Sequence, residues 1–190
     1  MEETTIIRIQ CFQHLEILES RKVQIRMRTV EIKPDTNGDS RVASKVPTFE
    51  EFMKANQSHI SDVKDMANAF AQELVFRIDS HDHTKVTEPY CSMFYRDLCN
   101  TIEGRMKFFD GEWSKIHYEE LERHHLNRFC PEDVDIFDVI EMIIDCVCAG
   151  AARSGSKDKI YDPVIPEEIL TKAVKNTVEY LKDNIEIKSK

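Results

Sequence analysis

The hydrophobic period of this chain changes near Phe49, and that change limits its fold more than any other feature. Before it, Val23, Ile25 and Met27 alternate with Gln24, Arg26 and Arg28, the two-residue period of a strand. Ile6, Ile7 and Ile9 form a shorter apolar run, so residues 4–33 read as a β-hairpin or small sheet. Pro34-Asp35-Thr36-Asn37-Gly38-Asp39-Ser40 has the chemistry of a turn or loop. After Phe49 the period becomes helical. Ile60, Val63, Ala67, Phe70 and Leu74 recur at three and four, which predicts one apolar stripe.

Four further helices follow from the same reading. Pro89 opens a second, with Phe94, Leu98 and Ile102 predicted inward. A third runs from about Glu112 to Asn127. A fourth opens at Pro131, with acids in its first turn as the helix dipole favours, and stops near Gly150. Ser154-Gly155-Ser156-Lys157 is a loop. A fifth begins at Pro166, with Leu170, Ala173, Val174, Val178 and Leu181 on one side. The expectation is a mainly α fold with a small N-terminal β-hairpin or sheet. Residues 1–45 form a β-rich appendage and residues 46–190 a helical domain.

Length and charge narrow the function classes. A chain of 190 residues fits one domain with at most a small appendage, and it buries a real core. A formal charge of −9 argues against broad nucleic-acid or anionic-membrane binding, which depends on basic surface. It leaves small anionic substrates open, because a metal supplies local positive charge. The longest apolar runs fall far short of the roughly 20 residues that span a bilayer. The N-terminal Met1-Glu2-Glu3-Thr4-Thr5 is no signal peptide. Six cysteines lack CxxC spacing and read as reduced thiols of a cytoplasmic protein.

The chemistry-bearing residues are histidines and acids. Of seven histidines, six fall between His59 and His125. His81-Asp82 opens the run His81-Asp82-His83-Thr84-Lys85. A neighbouring imidazole and carboxylate can ligate one cation. His59 shares a helix face with Val63 and Met66, where it can equally cap or pack at the edge. His117, His124 and His125 lie on the predicted third helix, with His117 and His124 on one face two turns apart; a solvated polar face is the plain alternative. Asp145 sits in Ile143-Ile144-Asp145-Cys146-Val147, where an isolated ionised carboxylate is costly. Asp138 and Glu141 precede it at seven and four. A solvated face explains Asp138 and Glu141 better than Asp145, for which a buried salt bridge to Arg153 is the structural alternative.

The order His59, His81-Asp82, a histidine cluster at 117–125, then Asp145 resembles the HD-domain superfamily of metal-dependent phosphohydrolases. Within it, the chain is similar to a little-characterised bacterial and phage group. That group carries a His-Asp-x-Ser-Lys run, a Trp and His leading to a His-His pair, and an Asp before a Gly-Arg-rich segment. The matching stretches here are His81-Asp82-His83-Thr84-Lys85, Trp113-x-x-x-His117, His124-His125, and Glu141-Met142-Ile143-Ile144-Asp145 followed by Ala149 to Gly155. The resemblance covers roughly residues 55–160. His83 and Thr84 depart from the group's usual aromatic or aliphatic residue and serine. Glu122-Arg123 stands where the group tends to have Asn-Pro.

The resemblance implies an HD-like helical bundle with His59, His81, Asp82 and Asp145 around one metal. His117, His124 or His125 would hold a second metal or substrate phosphate. Asp82 would also orient the attacking water, and Lys85 and Arg153 would meet phosphate oxygens. One or two divalent ions of Mn, Fe, Co, Ni or Zn suit such ligands. The expected activity is hydrolysis of a nucleotide or other small phosphate ester, in a possible homo-oligomer. The alternative is a non-catalytic interaction or regulatory protein, such as a phage accessory factor, with a structural or degenerate site. A lyase or oxygenase on the same scaffold is a third option.

Overall fold

The computed structural model describes residues 27–33, 39–127, 129–160 and 162–188. Most of the predicted N-terminal hairpin, including Val23 and Ile25, lies outside the described residues, as does the 34–38 part of the predicted loop. The chain is mainly α-helical with one small sheet, and it divides into two compact units. Among the described residues, no helix is long and apolar enough to cross a membrane.

The strand-bearing unit comprises Arg26–Asp79 and Thr177–Lys190. Its main element is α1, Phe49–Ile78, which opens on a reciprocal cap. The Thr48 hydroxyl accepts from the Glu51 N–H, and the Glu51 carboxylate accepts from the Thr48 N–H. Strand β1, Val30–Ile32, is the described part of the expected N-terminal β segment. It pairs in parallel with a strand that we number β2, Ile185–Ile187, with Val30 opposite Ile185. Met27, Val30 and Ala69 form the core, with Met66, Tyr180 and Leu181 against it. The predicted stripe on α1 is therefore out of phase: Ile60 and Val63 are exposed. Ala69 is small enough to let the strand segment approach, and this contact sets the buried face.

The histidine-bearing unit contains Ser80–Asn176. A short 3-10 turn at His83–Lys85 leads to α2, Tyr90–Ile102. Phe94 faces inward and stacks on Trp113 with ring centroids 4.0 Å apart, while Leu98 and Ile102 are exposed. The reason is Asp97, which is buried and accepts from the Trp113 N–H at 2.9 Å. The predicted third helix is instead a short α3, Glu112–Lys115, followed by a π-helix at Ile116–Leu121. Its last predicted residues form a turn. Helix α4 runs Ile136–Ser154, opening at the Asp135 cap and closing at Gly155, whose φ of 63° suits a glycine.

Leu126, Val134, Val139 and Ala173 make the core of this unit. Ala173 belongs to α5, Glu167–Asp183, whose first turns pack here and whose last turns serve the strand-bearing unit. As on α1, a small residue marks the buried line, and Leu170, Val174 and Val178 are exposed.

Candidate metal centre

Asp82 is the hub of the site. It follows the end of α1 and holds a left-handed backbone, φ 53° and ψ 30°, the one positive φ of a non-glycine among the described residues. Aspartate tolerates this region better than most residues, but the conformation is still sparsely populated. The turn it opens is pinned from below. The Trp113 indole N–H donates to the Thr84 carbonyl at 3.2 Å, and Trp113 in turn stacks on His117 at 4.3 Å.

Four histidines converge on that aspartate. His81 Nε2 is 3.2 Å from Asp82 Oδ2. His117 Nε2 and His124 Nε2 are 3.4 and 3.9 Å from Asp82 Oδ1. His125 Nε2 is 2.9 Å from His117 Nε2. Two sets have the spacing of metal ligands, His81 with Asp82 and His124, and Asp82 with His117 and His125; within each, the ligand atoms lie within 4.8 Å of one another. Asp82 belongs to both. Lys85 pairs with Asp82 Oδ2.

Helix α4 supplies acids from the other side. Asp145 Oδ1 is 3.5 Å from His81 Nε2. Glu141 Oε1 contacts His81 Nδ1 at 2.9 Å and His124 Nδ1 at 3.1 Å. The turn carrying His124 and His125 is clamped to the start of α4 by Arg123. Its Nε and Nη2 donate to the two Asp138 oxygens at 3.0 and 2.9 Å. Asp138 also accepts from the Asp135 N–H, completing the helix cap.

These contacts shift the protonation equilibria in opposite directions. Hydrogen bonds to Asp82 and then Glu141 raise His81 to about 10. Burial raises the Glu141 pKa, but the bonds to His124 and His81 outweigh it and hold the acid at about 2. Burial likewise opposes, and His81 and Lys85 overcome, a shift of Asp82 well below the carboxylate range. Burial dominates at His117 and His125, lowering them to about 4 and about 3. Both are therefore neutral, ligand-competent imidazoles near neutral pH.

Among the described residues four buried side-chain polar atoms lack a hydrogen-bond partner; two are serine hydroxyls, Ser58 and Ser114, and the other two, Asp82 Oδ1 and His124 Nε2, belong to this cluster. They face each other at 3.9 Å, too far for a hydrogen bond. A buried anionic oxygen opposite a ring nitrogen is costly unless a cation or proton lies between. Ligand bonds of about 2.1 Å from each atom to a shared ion span that gap. The residues present thus fit a divalent metal, and this is a helical domain with a His/Asp cluster resembling an HD-type site.

Of the residues singled out from sequence, His81, Asp82, His117, His124, His125, Asp145 and Lys85 are brought together. His59 is exposed on α1, in the other unit, and belongs to neither set. Arg153 is exposed in the last turn of α4. Asp138, read as a solvated acid, is 2% exposed and paired with Arg123. Glu141, read the same way, touches two histidines. Its sequence signal was its place one turn before Asp145. Thr84 and Glu122 were not anticipated: the buried Thr84 hydroxyl lies 2.6 Å from His117 Nδ1 and donates to Glu122 at 2.9 Å.

No curated protein and no solved structure matches the chain. A family model does, over residues 48–184, a span that includes α1 and every residue of both ligand sets. The chain belongs to that family, a family of unknown function (DUF5662).

Proposed function

We propose that this chain is a metal-dependent phosphohydrolase of HD type, acting on a nucleotide or other small phosphate ester. The observation that carries the reading is the unpartnered pair, Asp82 Oδ1 and His124 Nε2, within a cluster of histidines and acids at metal-ligand spacing. His81, Asp82, His124 and Asp145 would hold one ion. His117 and His125, with Asp82, would hold a second. A bound divalent ion polarises a phosphoryl oxygen and lowers the pKa of a coordinated water. Asp82 orients the attacking water. Lys85 lies beside Asp82 and is 39% exposed, which supports its meeting a phosphate oxygen. Mixed imidazole and carboxylate donors suit Mn, Fe, Co, Ni or Zn. The described part of residues 1–45 belongs to neither ligand set, and the segment serves association, partner contact or lid formation. Free cysteines accord with a cytoplasmic protein.

The test is a hydrolysis screen of mono- and dinucleotides and a chromogenic phosphate ester, with Mn, Co, Ni or Mg added. Turnover is expected, lost by orders of magnitude in Asp82→Ala. Lys85→Ala should lower turnover while keeping metal content. One observation favours a second reading: Lys85 already pairs with Asp82 Oδ2, as in a structural or degenerate site. Metal binding without turnover of any of these esters would select that reading.

A further inference from the structure

We propose that Glu141 is the positioning residue of the metal centre, one carboxylate oxygen that holds Nδ1–H of both His81 and His124 and so turns both Nε2 atoms toward Asp82. This rests on the metal reading above and adds a residue to it that is not itself a ligand.

Glu141 Oε1 lies 2.9 Å from His81 Nδ1 and 3.1 Å from His124 Nδ1. An ionised carboxylate only accepts, so the ring nitrogen facing it carries a proton. A neutral imidazole has one N–H. His124 therefore presents a lone pair at Nε2, and that atom is the buried, unpartnered one facing Asp82 Oδ1. His81 Nε2 faces Asp82 Oδ2 at 3.2 Å and Asp145 Oδ1 at 3.5 Å. The two rings sit 4.5 Å apart, with planes 40° to one another. They come from the turn before α2 and the turn before α4, and a single side chain on α4 reaches both. Glu141 itself is largely buried, with 13% of its side chain exposed, so solvent does little to loosen the bonds.

His117 has a parallel device. The Thr84 hydroxyl gives its proton to Glu122 at 2.9 Å, so at 2.6 Å from His117 Nδ1 it can only accept. His117 is thereby protonated on Nδ1 and presents Nε2 to Asp82 Oδ1 at 3.4 Å. Carboxylates behind the imidazoles thus set the tautomer of one histidine in each ligand set, His124 directly through Glu141 and His117 through a hydroxyl from Glu122. Such partners fix ring orientation and raise ligand basicity, and their loss typically costs about 10–100-fold in metal affinity.

The experiment pairs nitrogen-15 imidazole spectra of the metal-free protein with cobalt(II) titration followed by visible absorption. The proteins are wild type, Glu141→Gln and Glu141→Leu. In the wild type His124 should carry its proton on Nδ1. Glu141→Leu should populate Nε2–H on His124 and weaken cobalt binding by about 10–100-fold. Glu141→Gln keeps an acceptor oxygen, so it should bind more weakly than wild type while keeping the same absorption bands, because the ligands are unchanged. Should the leucine variant not fold, the glutamine variant decides alone. Nε2–H on His124 in the wild type, or wild-type cobalt affinity in either variant, overturns the proposal. If the wild type binds no cobalt yet His124 loses Nδ1–H in Glu141→Leu, the metal reading falls and the orienting role of Glu141 stands.

Discussion

Asp82 concentrates four nearby histidines, a lysine and a strained backbone on one carboxylate. Its neighbours give the site a defined pH dependence. His81, raised to about 10 from 6.5, favours the folded metal-free protein below about pH 6.5 and loses that contribution as pH rises through 10. His117 and His125, lowered to about 4 and about 3, favour the fold above 6.5 and lose that contribution as pH falls toward those values. Thermal melts of the metal-free protein should therefore peak near neutrality and fall on both sides. Metal must displace the His81 proton. Apparent affinity should accordingly rise by about tenfold per pH unit below the His81 titration, as measured by calorimetry in several buffers. A pH-independent affinity would contradict this. At this scale the His81-Asp82 adjacency was legible in the sequence. Glu141 was not, because an acid one turn from another on a helix looks solvated until its partners arrive from elsewhere in the chain.

Among the elements, the turn holding His124 and His125 depends on its clamp to α4. Asp138 is buried, whereas Arg123 is 40% exposed. Asp138→Asn strips the charge from a buried pair and weakens the Asp135 cap. We expect a loss of roughly 3 kcal/mol, the low end for a buried pair because one partner meets water, measured by chemical denaturation. Metal affinity should fall with it. An unchanged midpoint would show that the clamp contributes nothing. Helix number was readable from period and caps, but not every end: the fourth helix opens at Ile136 on its Asp135 cap, not at Pro131. The buried faces of the helices were not readable, because Ala69, Asp97 and Ala173 take the inner positions while larger apolar residues face out. The π-helix at Ile116–Leu121 left no mark in composition. It ends the third helix early, so His124 reaches Asp82 from a turn rather than from the helix face that the sequence predicts.

In the whole molecule, both ligand sets fall within Ser80–Asn176, and β1 and its core partners belong to the other unit. The pairing of β1 with β2 joins segments 155 positions apart (Val30 to Ile185), so no local pattern could announce it. A chain beginning near Val46 loses Met27 and Val30 from a core. Truncating one such buried side chain alone costs about 2–5 kcal/mol, so the melting temperature of that chain should drop. It should nonetheless bind metal, since both ligand sets are kept; loss of metal by a chain that circular dichroism reports as helical would count against this division. A divalent ion between Asp82 and the histidines is what the whole site reading requires. Crystals grown with manganese or zinc and measured at the metal absorption edge test it directly. We predict an anomalous peak about 2.0–2.3 Å from both Asp82 Oδ1 and His124 Nε2, absent in Asp82→Ala. Well-ordered crystals with no peak between those two atoms would contradict the account.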